Sequence, residues 1–300
     1  MSAPGSTLRL LLALASVYLI WGSTYLAIRF AIESIPPFTM AGTRFLMAGI
    51  CLFALSKGTG APNPTAKQWR SAALIGFLML VCGNGAVCWA EKTVPSGLAS
   101  LLIATVPLWA VVLTALLPSG SLPRPRVVIG ILFGLLGVGI LVNPLQSAQS
   151  SAIAPSGAAA LLFAAAAWAA GSVFSKRVSL PASPTLSTAL QMLTGGSVLV
   201  CIGALSGEWS HIHLSAITLK SLLSVAYLMV FGSLIGFTAF VWLLRNTSAV
   251  VATSYAYVNP LVAVLLGWAW NHETPSPSTA AAGALVIAAV VLITTGRPAK

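Results

Sequence analysis

The sequence predicts an all-α polytopic membrane protein, with ten transmembrane helices arranged as two inverted five-helix repeats. Three observations carry this. Hydrophobic residues make up 58% of the 300 and charged residues only 6%, against about 45–50% and about 25% in an ordinary globular chain. Ten apolar runs of spanning length follow one another with short connectors. The pattern of one half then returns, in order, in the other. Mean hydropathy is +0.96, and a soluble fold of this length has too few charges here to cover its surface. The lipid bilayer is therefore its surroundings.

A spanning helix needs about 20 mostly apolar residues. Ten segments qualify, at roughly 9–29, 38–56, 71–90, 97–117, 126–143, 155–175, 185–205, 217–242, 249–270 and 278–295. The first follows Arg9 like the core of a signal peptide, but runs on past Trp21 to Ile28, long enough to span and be retained. Turn residues fill the connectors, as in Ile35-Pro36-Pro37, Pro62-Asn63-Pro64, Pro123-Arg124-Pro125 and Pro275-Ser276-Pro277. The longest polar stretch, Lys57 to Arg70, leaves no room for a soluble domain.

Lys and Arg placement sets the orientation. With the N-terminus inside, inner segments hold Arg9, Lys57, Lys67, Arg70, Arg124, Arg126, Lys176, Arg177, Arg245, Arg297 and Lys300, and outer ones only Arg29, Lys92 and Lys220. Both termini are predicted cytoplasmic. The net charge of +11 comes from residues scattered singly or in pairs between apolar runs, which is an orientation signal and not a nucleic-acid surface.

Two shifts relate the halves. At 147 residues Trp21 meets Trp168, Arg29 meets Lys176, Pro37 meets Pro184, Leu46 meets Leu193 and Gly49 meets Gly196. At 153 residues Gly83 meets Gly236, Trp89 meets Trp242, Lys92 meets Arg245, Pro107 meets Pro260 and Gly130 meets Gly283. The repeats are read as 1–146 and 147–300. An odd number of helices per half inverts the second, a design typical of secondary transporters with a midplane site between the halves.

The run Tyr18-Leu19-Ile20-Trp21-Gly22-Ser23-Thr24-Tyr25, with Pro36-Pro37, Arg44-Phe45, the stretch Ala99 to Val112 around Pro107-Leu108, and Tyr257-Val258-Asn259-Pro260-Leu261 before His272-Glu273-Thr274, resembles the EamA family of the drug/metabolite transporter superfamily, in its YddG/YedA-like branch. The resemblance covers nearly the whole chain. It implies ten helices with inside termini in a prokaryotic plasma (inner) membrane, a central cavity lined by segments one to four and six to nine, and segments five and ten at the periphery. It also implies export of amino acids and other small metabolites, with YddG-like members favouring aromatic and neutral amino acids. One departure is Gly120, where the family often carries a Glu like Glu273.

Polar groups at membrane depth are costly and therefore informative. Arg44, seven residues past Pro37, either binds a substrate carboxylate or ties helix ends together; its repeat mate Gln191 is neutral. Asn84 lies between Gly83 and Gly85, where the thinned helix lets substrate reach the backbone. Pro107 and Pro260, the latter after Asn259, each remove a backbone bond, freeing carbonyls either for a cavity or only for a packing kink. Trp21, Trp109, Trp168, Tyr25 and Tyr255, with Thr24, complete the candidate substrate-binding set. Gly83, Gly236, Pro107 and Pro260 are candidates for gating or kinks. Tyr255 and Tyr257, two apart on a helix, do not both face one cavity. The small residues around Gly130, Gly134 and Gly137 serve intrachain packing, so the chain is read as a monomer.

There is no Asp. Glu33, Glu208, Glu273 and all three His fall in outer loops, and Glu91 ends the third segment. Proton relays usually need buried carboxylates or His, so facilitated diffusion or exchange by alternating access is predicted. The alternatives are export of other amphipathic metabolites or drugs, with or without protons, and a channel. An enzyme is disfavoured: H-E-x-x-H, the phosphate-binding G-x-x-x-x-G-K-[ST] and C-x-x-C are all absent. No metal or cofactor is implied; the partner is a small-molecule substrate.

Overall fold

The computed structural model describes residues 4–94, 96–117, 123–142, 155–262 and 277–294, and among these every regular element is helical. The repeat junction near 146, Gly120 and His272-Glu273 lie outside the described residues. Among the described residues, six helices are long and apolar enough to cross a membrane. They belong to α1 (Pro4–Ala31, apolar from Leu8), α2 (Pro37–Gly58), α3 (Ala66–Ala90), α7 (Pro155–Phe174), α8 (Pro184–Leu205) and α9 (Leu219–Asn246). Between and after them run the shorter apolar helices α4 (Ser96–Ile103), α5 (Val106–Leu116), α6 (Pro125–Val142), α10 (Ala249–Val262) and α11 (Pro277–Thr294).

Local chemistry starts these helices in recognisable ways. Pro37 and Pro184 take first-turn positions that need no N–H. Ser183, Thr218 and Ser248 cap α8, α9 and α10 through their hydroxyls, and Thr65 and Gln68 form a capping box on α3. Helix α2 follows Pro36, which has no side-chain acceptor. Its first N–H groups are met instead by Glu208 from the loop after α8, whose carboxylate accepts from Phe38 N, Thr39 N and Thr39 Oγ1 at 3.1, 2.7 and 2.7 Å.

Two helices change pitch midway. Phe77–Gly85 in α3 and Leu228–Phe237 in α9 are π-helical, and the 153-residue shift lays one over the other. Such segments break the regular bonding ladder and are frequent at functional sites.

Packing is reciprocal between the halves. Helix α3 lies on α7 as α9 lies on α1, while α2 pairs with α8 and α6 with α11. The glycines make these approaches. A Cβ on Gly83 would sit 2.8 Å from the Trp168 ring, and one on Gly236 2.5 Å from Trp21 Nε1. At the α2–α8 crossing, a Cβ on Gly49 would sit 3.0 Å from Leu193 N and one on Gly196 2.9 Å from Leu46 N. In lipid there is no hydrophobic drive between helices, so close van der Waals contact through small residues holds them. Gly130 and Gly137 pack on α11 and Gly134 on the Tyr257 ring, all within the chain.

Gly83→Ala and Gly236→Ala each force an aromatic ring out of a packed cluster and are expected to cost about 1–3 kcal/mol. Gly139→Ala, with nothing within 4 Å of its Cβ position, is the control. Thermal unfolding in detergent is expected to fall for the first two and not for the third.

Candidate functional site

A cavity lies between α1, α2, α3, α4, α5, α7, α9 and α10. Trp21, Thr24, Tyr25, Arg44, Gly83, Asn84, Trp168, Tyr255 and Asn259 all line it. Its base is an aromatic cluster. Trp21 and Trp168 meet edge-on at 5.5 Å between centroids, Tyr255 stands edge-on to Trp21 at 4.7 Å, and Phe237 and Phe240 close the sides at 6.0 and 5.0 Å from Trp168 and Trp21. In the π segment of α9 the Gly232 carbonyl accepts from Trp21 Nε1 at 3.0 Å. Trp168 Nε1 is buried with no acceptor among the described residues.

The polar wall is built around Arg44, which is only 3% exposed. Its Nη2 donates to Asn84 Oδ1 at 2.9 Å and its Cζ lies 4.2 Å from the Phe45 ring centroid. Nε is buried with no acceptor, and no carboxylate pairs with the guanidinium among the described residues. On another part of the wall the Tyr25 hydroxyl approaches the Asn259 amide, whose two terminal atoms complete no hydrogen bond.

Five sequence candidates lie elsewhere. Gln191 lines a second cavity with Ser175, Lys176, Val241, Leu244 and Arg245. Lys176 and Arg245 bridge its sides by donating to the backbone carbonyls of Thr247 and of Ala182 and Pro181, and burial lowers the Lys176 pKa. Trp168 of α7 lines the first cavity, and Ser175, one residue past the end of that helix, lines the second. Trp109 packs outside both, with its Nε1 buried. Gly236 does not line the first cavity but packs under Trp21, which does.

The prolines divide. Pro107 sits in the first turn of α5, straight after a break at Ala104-Thr105, and Ile103 at the end of α4 lines the cavity. Pro260 does not mark a break, because helix continues through it. The chain turns at Thr253-Ser254, where Thr253 Oγ1 and Ser254 Oγ take the carbonyls of Ala249 and Val251. Of the tyrosine pair, Tyr255 faces the cavity and Tyr257 faces Gly134 in α6.

Two features escape a reading by residue type. Phe237 and Phe240 look like ordinary apolar residues, although the 153-residue shift pairs Phe237 with Asn84. Glu91, one residue past the span of α3, does not sit in water. It is fully buried, its carboxylate oxygens accept nothing among the described residues, and burial raises its pKa well above the usual carboxylate range. Arg29 donates to its backbone carbonyl.

The EamA-like transporter family pattern matches residues 8–143 and again 155–295. The chain belongs to the EamA-like transporter family. It is 43% identical over 293 residues to the uncharacterized inner membrane transporter YedA of Escherichia coli (strain K12), a match covering 96% of this chain and 92% of YedA. It is 27% identical over 283 residues to a probable terminal-alkyne amino-acid exporter of Streptantibioticus cattleyicolor, covering 94% and 92%. A solved structure superposes with a TM-score of 0.75 at 23% identity over 95% of this chain and 96% of the other, a likeness of fold alone. Membership makes this EamA-family chain a membrane transporter of a small-molecule substrate.

Asn84→Leu removes the acceptor that holds Arg44. A buried charged donor left without its partner costs about 1–3 kcal/mol or more, so a lowered unfolding temperature is expected in detergent, with helix content at 222 nm unchanged at 20 °C.

Proposed function

We propose that this EamA-family protein is a secondary carrier that exports small zwitterionic metabolites, neutral and aromatic amino acids above all, by alternating access. The observation that carries this is Arg44: a buried cation with no acidic partner among the described residues and an unpaired Nε, on a cavity whose base is aromatic. A buried charge is paired or is waiting for a partner, and a substrate carboxylate supplies one while an apolar side chain packs on Trp21, Trp168 and Tyr255. The amino-acid exporter among the relatives points to the same class of cargo.

The carrier is read as ten helices in two inverted repeats, 1–146 and 147–300. The double family match, the matched π segments and the reciprocal Gly–Trp contacts support this reading. The excess of Lys and Arg on one side supports cytoplasmic termini, and YedA supports an inner-membrane location.

Counterflow in proteoliposomes tests the reading. Preloading with unlabelled neutral or aromatic amino acids is expected to drive transient accumulation of a labelled one, which a channel does not give. The matching amino-acid amides, lacking the carboxylate, are expected to drive none. Arg44→Gln removes a charged hydrogen bond worth about 1.5–3 kcal/mol and is expected to weaken apparent affinity at least about tenfold, with Arg44→Lys intermediate. Equal competition by acid and amide would overturn the assignment of Arg44.

A further inference from the structure

Glu91 is a buried charged group that the substrate reading leaves unused. An ionised carboxylate that loses its water and gains no donors carries a penalty of several kcal/mol. Its neighbours do not remove that penalty. From α1 come Arg29, whose charge opposes the upward pKa shift only in part, and Tyr25. From α2 the charged group is Arg44, whose guanidinium donates to Asn84 and not to Glu91. Lys92 follows in the chain and is exposed. Helices α4 and α7 carry no titratable side chain.

Packing does not require the carboxyl either. The shift that pairs Lys92 with Arg245 pairs Glu91 with Leu244, which is buried, so a leucine fills the corresponding place. Glu91 also stands just behind the cavity wall: Val87, one turn earlier, lines the cavity, and so does Tyr25, one turn before Arg29 on α1. In the state described, the bond from Arg29 to the Glu91 carbonyl closes α1 against the end of α3.

We propose that Glu91 carries a proton inward in exchange for the ammonium group of the outgoing substrate, which makes the protein a proton antiporter for zwitterions. This rests on the carrier reading above and reverses the expectation of transport without a proton carrier. From the cytoplasmic side, a substrate ammonium seats beside Tyr25 and the unpaired Asn259 amide. Its charge favours ionised Glu91, and the carboxyl O–H proton passes to water on that side. When the outer end opens, Arg29 leaves the Glu91 carbonyl, the substrate departs, and the carboxylate takes a proton from outer water. The neutral carboxyl is the form that burial tolerates on the return. One proton enters for each zwitterion that leaves, so one positive charge moves inward per cycle.

The test is wild-type protein in proteoliposomes holding a pH-sensitive dye, with the amino acid that gives counterflow. Adding it on one side is expected to move protons in the opposite direction. Its apparent Kd is expected to rise about tenfold per pH unit below the Glu91 pKa, because proton and ammonium compete. Glu91→Gln is expected to keep counterflow at a lowered rate while losing both proton movement and pH dependence; Glu91→Asp keeps both. Wild-type counterflow with no proton movement and a flat pH profile overturns the role of Glu91 and leaves the carrier standing. Proton movement that survives in Glu91→Gln also overturns it. Absence of counterflow with every neutral and aromatic amino acid overturns the substrate reading and this inference with it. Where Glu91→Gln does not accumulate, the wild-type pH profile decides alone.

Discussion

Two tryptophans crossing over two glycines hold the centre of the molecule. Trp168 of the second half lies on Gly83 of the first, Trp21 of the first lies on Gly236 of the second, and the two indoles meet edge-on at 5.5 Å. No side chain larger than hydrogen fits under either ring. In a bilayer, apolar side chains gain nothing by leaving lipid for protein, so contact quality decides which helices pair. The same device recurs where α2 crosses α8, with Gly49 against Leu193 and Gly196 against Leu46. The cavity base and the seam between halves are thus one structure.

Around that seam the paired positions agree in packing and differ in polarity. Trp21 and Trp168 match, as do the π segments. Arg44 pairs with Gln191, Asn84 with Phe237 and Glu91 with Leu244, and in each pair the charged or more polar residue belongs to the first half. The first cavity consequently holds Arg44 and Asn84, with Glu91 behind its wall. The second holds Lys176 and Arg245, which spend their charge on backbone carbonyls. Helix starts differ likewise: Pro36 lacks the acceptor that Ser183 supplies at the paired place, and Glu208 fills the gap from another loop.

Much of the site was legible in the residue types. Trp21, Arg44, Asn84, Trp168 and Asn259 stand out because polar and aromatic groups are rare in spans, and all five line one cavity. Gln191 stands out on the same ground but faces the second cavity, since a repeat mate occupies the equivalent position and not the same one. Pro260 draws the eye as a helix breaker, yet the break lies at Thr253-Ser254, where hydroxyls take up the carbonyls. Proline disrupts a helix only by the bond it removes, and neighbouring packing decides where the bend goes. Phe237 carries no signal of its own.

The sequence by itself determined the helical membrane class, the succession of apolar segments, the shifts relating the halves and the family. Those follow from hydropathy, charge placement and spacing, which are properties of the chain read in one dimension. Tertiary structure alone decided that, among the described residues, Glu91 is buried without donors and Arg44 has no acidic partner, and that Arg44 and its repeat mate Gln191 line two different cavities. Burial and pairing depend on which helices approach one another, and no residue type states its own solvation.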